Sequence, residues 1–328
     1  MSPLLAVEHL CIAASASCPD SPGLVEGMSF DVEAGSVVAL VGESGSGKSL
    51  TALSMLQLLP RGVGVVGGSI RLDGRELLDC TPREMATIRG SQLGMVFQEP
   101  MTALNPVFTI GDQIVEVLRR HRKLNRAQAQ REAIALLERV AIPEPRRCVK
   151  VYPHELSGGM RQRVVTAIAV AGAPRMLVAD EPTTALDIRT QSLLLDLLVG
   201  FARDDGMGLL LITHDLSLVA ERADHVHVMF RGHLCESGPV DAVLEHPKHP
   251  YTRGLLACTP RLDGPVGDLP TIGDIVPDPS TEQVDTEGGP RPAWWPELPG
   301  RHQMEPAGEH RSVGVRATER LSAGIGRF

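Results

Sequence analysis

One short stretch of the chain has the residue types and the spacing to bind phosphate. It reads Gly42-Glu43-Ser44-Gly45-Ser46-Gly47-Lys48-Ser49 and fits the pattern G-x-x-x-x-G-K-[ST]. Its three glycines allow positive φ angles and a close approach of the backbone to an anion. Lys48 is placed to reach the β- and γ-phosphates of a nucleotide, and the Ser49 hydroxyl is placed to hold Mg²⁺. The loop therefore predicts a nucleotide phosphate site.

The sequence on either side of this loop supplies the elements that a phosphate site needs. Residues 36–41 are an apolar run, short enough to be a buried strand, and residues 50–59 form a helical pattern that ends at Pro60. N–H groups at the start of that helix would face the anion. Because strand, loop and helix are in register, we reject a chance Gly/Ser-rich loop.

A second acidic site follows another apolar strand. Residues 176–179 lead directly into Asp180 and Glu181. Charges at the end of a buried strand need a reason. Asp180 is placed to hold Mg²⁺, and Glu181, pointing the other way, faces the γ-phosphate and its attacking water. The alternative, a solvated strand end, is disfavoured by the phosphate loop in the same chain.

A second anion site is predicted where another helix begins. Ser157 is a good N-cap, and Gly158 and Gly159 leave backbone N–H groups bare at the helix start. Two γ-phosphate sites in one chain suggest that the second one serves the nucleotide of a neighbouring chain.

The ordered set of these motifs resembles the ATP-binding-cassette (ABC) family. The resemblance covers residues 4 to about 260. After the phosphate loop, its motifs are Gln98, Leu156-Ser157-Gly158-Gly159-Met160-Arg161-Gln162-Arg163, Asp180-Glu181, Ala185-Leu186-Asp187 and His214.

The resemblance implies roles for these residues. Gln98 would link Mg²⁺ and water to a helical insertion. His214 would contact the γ-phosphate and orient Glu181 with its water. The Ser157–Gly159 motif would act in trans, and Asp187 would lie across a dimer seam. The implied ATP-binding set is Gly42, Glu43, Ser44, Gly45, Ser46, Gly47, Lys48, Ser49, Thr51, Ser157, Gly158, Gly159 and Asp187, with Ser49, Gln98 and Asp180 at Mg²⁺.

Three further runs, residues 96–106, 152–163 and 249–256, narrow the resemblance to the ATPases of peptide and nickel importers. Met160 and residues 181–187 are similar to the D-type subunit of oligopeptide and dipeptide importers.

The sequence departs from the family pattern at two places. The family's adenine-stacking aromatic would fall near Ala13-Ala14, where none stands. The tail has no cysteine after Cys258, so we expect no iron–sulfur cluster; Trp294-Trp295 stand at about that place.

Composition limits the class of protein. A net charge of −8 argues against a nucleic-acid partner. The six cysteines include no C-x-x-C pair, which is typical of reduced cytosolic thiols. The first residues lack the features of a signal peptide, and no run reaches about 18 uncharged apolar residues. We therefore expect a soluble chain that meets a membrane only through a partner.

The predicted fold is α/β, a P-loop NTPase core with a mostly parallel sheet. Strands are predicted at 4–12, 28–32, 68–72, 93–97, 175–180, 209–213 and 226–230, with a turn at 13–27. The first of these belong to an N-terminal antiparallel β subdomain, and a helical subdomain at about 99–166 is inserted. Residues 1–260 form the nucleotide-binding domain. From 261 to 328, the Pro/Gly-rich composition predicts an extended or partly disordered tail.

The resemblance implies an ATPase that energises an importer at the cytoplasmic face of the membrane. The expected partners are a second ATPase subunit, identical or not, two permease subunits and an extracytoplasmic solute-binding protein. Peptides are the first candidate for the solute, with nickel or a metal chelate as the alternative. A soluble ABC ATPase acting on ribosomes or DNA is disfavoured, because the chain carries one cassette and a short insertion. A catalytically dead regulator is disfavoured because Glu181 and His214 are intact.

Overall fold

The computed structural model describes residues 2–14, 23–98, 103–184, 186–258, 271–296, 301–308 and 310–317. The strands are β1 (Leu5–Ala14), β2 (Gly23–Val32), β3 (Val37–Val41), β4 (Val63–Leu72), β5 (Arg75–Glu76), β6 (Leu93–Val96), β7 (Met176–Asp180), β8 (Gly208–Thr213), β9 (His225–Phe230), β10 (His233–Pro239), β11 (Gln283–Thr286), β12 (Gly289–Pro292), β13 (Arg301–Pro306) and β14 (Ser312–Ala317). The helices are α1 (Lys48–Met55), α2 (Pro82–Ile88), α3 (Ile110–Arg122), α4 (Arg126–Arg139), α5 (Pro145–Cys148), α6 (Gly158–Ala171), α7 (Ile188–Asp205), α8 (Leu216–Ala220), α9 (Val240–Glu245), α10 (Pro250–Ala257) and α11 (Ile272–Ile275).

The central sheet has eight strands in the order β13-β14-β10-β9-β3-β8-β7-β6. The five strands from β9 to β6 are parallel, and the three at the other edge are antiparallel. Every residue of β3, β7 and β8 is buried, as expected of parallel strands covered on both faces. The prediction of a mostly parallel α/β sheet is confirmed.

The alternation along β3 divides the core into two layers. Leu40 packs in a cluster with the antiparallel sheet β2-β1-β4-β5, whereas Ala39 and Val41 pack in a second cluster with the helices. Because β3, β8 and β7 are parallel neighbours, their carboxyl ends meet on one side of the sheet. The predicted phosphate loop and the acidic pair Asp180-Glu181 lie there.

The helical region consists of α3, α4, α5 and α6. The hydroxyl of Thr109 caps α3 by accepting from the Asp112 amide, and Asn125 forms a capping box with Gln128 at the start of α4. The predicted cap at Asn125 is confirmed. Helix α6 continues to Ala171, beyond the predicted end of the helical region, and leads back to β7.

Three further predicted elements have bounds that differ by more than two residues in the structure. Helix α1 spans Lys48–Met55 instead of 50–59. It ends early because Gln57 takes a left-handed conformation and its side-chain Nε2 donates to the carbonyls of Leu77, Leu78 and Cys80. Strand β4 begins at Val63, five residues before its predicted start, because it pairs along β1 to Ala14. The predicted turn at 13–27 is wrong at both ends, because β1 continues to Ala14 and β2 begins at Gly23, five residues before its predicted start, with Ala13 paired to Gly23. Residues 15–22 lie outside the described residues.

The described part of the tail is folded, which corrects the prediction of an extended or partly disordered segment. Strand β14 pairs antiparallel with β10, so the tail adds two strands to the edge of the central sheet. Val313 and Val315 are buried there, and Trp294 and Trp295 pack in the core. Sheet pairing and these apolar contacts outweigh the Pro/Gly-rich composition. Residues 259–270 and 318–328 lie outside the described residues.

In the part of the chain that the structure describes, no helix is long and apolar enough to cross a membrane.

Candidate functional site

The phosphate loop joins β3 to α1 and has the backbone conformation that its glycines predict. Gly42, Gly45 and Gly47 have φ angles of 150°, 82° and 105°. A Cβ atom at Gly42 would overlap the carbonyl oxygen of Met229 on β9. Only glycine fits at this point, so the start of the loop is held tightly against the neighbouring strand.

Lys48 is buried at the first turn of α1, under the loop. Its Nζ donates to the carbonyl oxygens of Gly42 and Glu43, both at 2.8 Å, and lies 3.3 Å from the Ser46 hydroxyl. Burial lowers the pKa of Lys48, and the carboxylates of Glu181 and Asp180 oppose this effect. The carbonyl oxygens of the loop thus hold the Lys48 ammonium group in place, where it can bind an anion in the cleft.

Asp180 at the end of β7 lies next to the start of α1. The Ser49 hydroxyl donates to Asp180 Oδ1 at 3.0 Å. Burial raises the pKa of Asp180, while the hydrogen bond from Ser49 and the charge of Lys48 lower it. A hydroxyl beside a buried carboxylate is the type of oxygen donor set that Mg²⁺ prefers, so these residues fit the predicted ion.

The carboxylate of Glu181 contacts three other side chains. Its Oε2 accepts from Gln98 Nε2 at 3.1 Å and from the Thr184 hydroxyl at 3.2 Å, and its Oε1 lies 3.5 Å from His214 Nδ1. Glu181 has φ of 44°, a left-handed conformation uncommon for a residue with a side chain. Such backbone strain persists only where the surroundings impose it, and it concentrates at functional sites.

These groups open onto one cleft of about 880 Å³. It is lined by Gly42, Glu43, Ser44, Gly45, Gly47, Lys48, Ser49, Leu50, Gln98, Glu181, His214, Asp215, Ser217, Leu255 and Cys258. The fold therefore brings the phosphate loop, Gln98, Glu181 and His214 together. Thr51 lies buried behind the loop, where its hydroxyl donates to the Gly47 carbonyl at 3.1 Å.

The other predicted site residues lie away from this cleft. Ser157 caps α6 by accepting from the Met160 amide at 3.3 Å, and Ser157 and Gly158 are exposed at that helix start, followed by half-buried Gly159. Asp187 caps α7 through the Thr190 amide and hydroxyl, which lower its pKa. Ala185 lies outside the described residues.

The cleft lacks an aromatic ring for adenine in the part of the chain that is described. Its lining contains no Phe, Tyr or Trp, and β1 ends at Ala14. The departure noted in the sequence therefore stays visible in three dimensions.

Sequence reasoning missed one residue that touches the loop. The hydroxyl of Tyr251 on α10 accepts a hydrogen bond from the Glu43 amide at 3.2 Å. The run at 249–256 indicated a resemblance but no role for this tyrosine. A contact between residues 208 positions apart has no local sequence signal.

Comparison with known proteins agrees with this geometry. Residues 25–184 match the ABC transporter family, and residues 235–288 match the C-terminal region of oligopeptide/dipeptide transporters. A Brucella abortus protein is 46% identical over 267 residues, which cover 81% of this chain and 80% of the relative. The chain belongs to the ABC transporter ATPases.

Other relatives extend the comparison. A Brucella melitensis protein is 54% identical over 237 residues, 70% of each chain; it and the Brucella abortus relative are both named as peptide import ATP-binding proteins. The structure of cbiO1 from Clostridium perfringens, described as part of an ABC transporter complex, has a TM-score of 0.65 at 26% identity, covering 75% of this ABC ATPase and 92% of cbiO1. A dimeric ATP-binding cassette with ADP and phosphate bound has a TM-score of 0.64 at 24% identity, covering 72% and 98%, and supports the fold.

Proposed function

We propose that this ABC ATPase hydrolyses ATP to energise the import of peptides. The observation that carries the proposal is the cluster of Gln98, Glu181 and His214 beside the phosphate loop. The match of residues 235–288 to oligopeptide/dipeptide transporters, and the peptide import names of the relatives, support peptides as the solute.

In this mechanism the phosphate loop binds the nucleotide, and Glu181 activates the water that hydrolyses it. The loop amides and Lys48 hold the β- and γ-phosphates. Ser49, Asp180 and Gln98 would hold Mg²⁺, which supplies positive charge to the phosphate oxygens when bound. Glu181 accepts a proton from the water that attacks the γ-phosphorus, and ADP leaves. His214 and Gln98, which flank the Glu181 carboxylate, fix its orientation.

The motif Ser157-Gly158-Gly159, whose first two residues are exposed, supports a dimer. It does not line the cleft of its own chain among the described residues, so we assign it to the nucleotide of a second ATPase subunit, identical or homologous. Two permease subunits and an extracytoplasmic solute-binding protein complete the transporter. The chain would then lie at the cytoplasmic face of the membrane as a peripheral subunit.

Reconstitution of the whole transporter in liposomes tests this function. The chain is combined with two permease subunits, a solute-binding protein and a second ATPase subunit from the same organism, and ATP hydrolysis is measured with peptides or with nickel and nickel chelates. We expect peptides to stimulate hydrolysis and Glu181→Gln to abolish that stimulation. Stimulation by nickel alone would overturn the peptide assignment. Co-purification with ribosomes, without any permease, would overturn the transport function.

A further inference from the structure

Tyr251 connects the C-terminal part of the chain to the phosphate loop. Its hydroxyl accepts from the Glu43 amide at 3.2 Å, while the carbonyl of the same Glu43 accepts from Lys48 Nζ at 2.8 Å. One loop residue is therefore held from two sides, by a tyrosine on α10 and by the lysine that is assigned to the phosphates.

The ring of Tyr251 is fixed by aromatic neighbours. It is fully buried and stacks on Phe230, with ring centroids 4.1 Å apart and planes at 20°. Trp295 from the tail packs edge-on against Tyr251, with ring centroids 6.5 Å apart, and lies tilted against Phe230 at 5.5 Å. Phe230 is the residue after Met229, whose carbonyl oxygen lies so close to residue 42 that only glycine fits there. The loop and the tyrosine thus rest on adjacent residues of β9.

Hydrogen bonds also hold the start of α10, the helix that carries Tyr251. The Tyr251 amide donates to His249 Nδ1 at 3.1 Å, so Nε2 carries the proton and donates to the Trp294 carbonyl at 3.1 Å. The carboxylate of Glu236 accepts from the His249 amide at 3.0 Å and pairs with Arg311. Glu236 and Arg311 are both buried, so this pair ties β10 and the tail to the helix that carries Tyr251.

We propose that Tyr251 is a positioning residue for ATP binding: through its hydroxyl it fixes the Glu43 peptide, and with it Lys48, in the geometry that receives the phosphates. The C-terminal region thereby helps to shape the nucleotide site through Tyr251, whose own side chain does not line the cleft. This inference rests on the proposed role of residues 42–49 in holding phosphate.

The proposal separates the hydroxyl from the ring. Tyr251→Phe keeps the stacking on Phe230 and Trp295 and removes only the acceptor for the Glu43 amide. A net hydrogen bond of ordinary strength corresponds to a change of about threefold to tenfold in an equilibrium constant. We therefore expect the dissociation constants of ATP and ADP to rise by about that factor. In the assembled transporter KM for ATP should rise, with kcat within about twofold, because the Tyr251 hydroxyl bonds the Glu43 amide and Tyr251 does not line the cleft into which Glu181 opens.

The experiment uses the full-length chain and three variants. Tyr152→Phe is the matched control, because Tyr152 is the other tyrosine of the chain and lies outside the cleft. Lys48→Ala reports on the phosphate loop itself. ATP and ADP affinities are measured by calorimetry, unfolding midpoints by thermal denaturation, and the amide exchange of residues 42–47 by hydrogen–deuterium mass spectrometry.

The outcomes are distinct. Weaker nucleotide binding and faster loop exchange in Tyr251→Phe alone, with Tyr152→Phe like the wild type, support the proposal. If Tyr251→Phe binds and exchanges like the wild type while Lys48→Ala loses binding, Tyr251 has no positioning role and the proposed nucleotide site stands. A lower unfolding midpoint with unchanged affinity makes the contact structural only and also overturns the inference. Full binding by Lys48→Ala would instead overturn the phosphate-loop assignment.

Discussion

The side-chain amide of Gln98 donates a hydrogen bond to the Glu181 carboxylate at 3.1 Å, joining the end of β6 to the end of β7. Gln98 is the last described residue before the helical region, and Glu181 is the residue assigned to the attacking water. We propose that a movement of the helical region would change the orientation of the Glu181 carboxylate through this hydrogen bond. In the proposed transporter, the contact would connect the helical region to ATP hydrolysis.

The first prediction concerns Glu181. In Glu181→Gln we expect ATP binding to be unchanged and hydrolysis to fall by about 10²- to 10⁴-fold, the usual cost of losing a positioned base. Binding persists because Lys48 and the loop amides hold the phosphates. Single-turnover hydrolysis and ATP affinity are measured on the assembled transporter. Glu221→Gln, which changes an exposed carboxylate, is the control. Near-normal hydrolysis by Glu181→Gln would remove this residue from its role.

The second prediction concerns the isolated chain. Ser157, Gly158 and Gly159 do not line the cleft among the described residues, so under the proposed action in trans a single copy would lack this half of its site. We expect hydrolysis by the purified chain to be slow and its specific activity to rise with protein concentration as dimers form. ATP hydrolysis is measured by phosphate release, and the molar mass of the same samples is measured by light scattering. Full activity in a sample that is monomeric throughout would contradict the assignment in trans.

Local patterns predicted the parts of the site that are contiguous in sequence. The strand at 36–41, the glycine loop at 42–49 and the helix at 50–59 were predicted from types and spacing, because each element needs only its own neighbours; the structure has the strand at Val37–Val41 and the helix at Lys48–Met55. The meeting of Gln98, Glu181 and His214 was expected only from the ABC resemblance. Their distances depend on the order of β6, β7 and β8 in the sheet, which no local pattern contains.

The C-terminal part was the least predictable. Strand β14 carries buried Val313 and Val315 on either side of Gly314, an alternation typical of a strand, but the surrounding prolines and glycines obscured it. Pairing with β10 depends on a strand more than seventy residues earlier in the sequence. The contact of Tyr251 with Glu43 was unpredictable for the same reason, since its partner lies in another element.

The third prediction is a dependence of stability on pH. Burial lowers the pKa of His227 and of His249 to about 3, and nearby positive charges add to this effect. In the unfolded chain a histidine has a pKa of about 6.5. Between pH 6.5 and 3 the unfolded chain binds the proton and the folded chain does not. The contribution of each neutral histidine to the free energy of unfolding is therefore fully present above pH 6.5. It is lost as the pH falls below 6.5, by about 1.4 kcal/mol per pH unit for each histidine.

The histidine variant His227→Gln tests this slope. We expect its free energy of unfolding to depend less steeply on pH between 6.5 and 5 than that of the wild type, by about 1.4 kcal/mol per unit. Urea unfolding at several pH values measures the slope, which is independent of any constant loss from the substitution. His154→Gln, at an exposed ring, is the control. Parallel curves for the wild type and His227→Gln would show that His227 accepts a proton in the folded protein.

The last prediction concerns the choice of base. The described lining of the cleft contains no Phe, Tyr or Trp, and β1 reaches Ala14, near the place where the family usually carries a ring. Stacking of a base on an aromatic side chain contributes about 1–3 kcal/mol in single-stranded nucleic-acid sites, which serves here as an upper guide. Without that contribution the phosphate loop still binds the triphosphate, because its contacts do not reach the base. We therefore expect GTP to bind nearly as well as ATP, and Ala14→Tyr to tighten ATP binding. Titration of both nucleotides against the wild type, Ala14→Tyr and the control Ala127→Tyr, at an exposed position of α4, measures the effect. A strong preference of the wild type for ATP that Ala14→Tyr leaves unchanged would mean that another group holds the adenine.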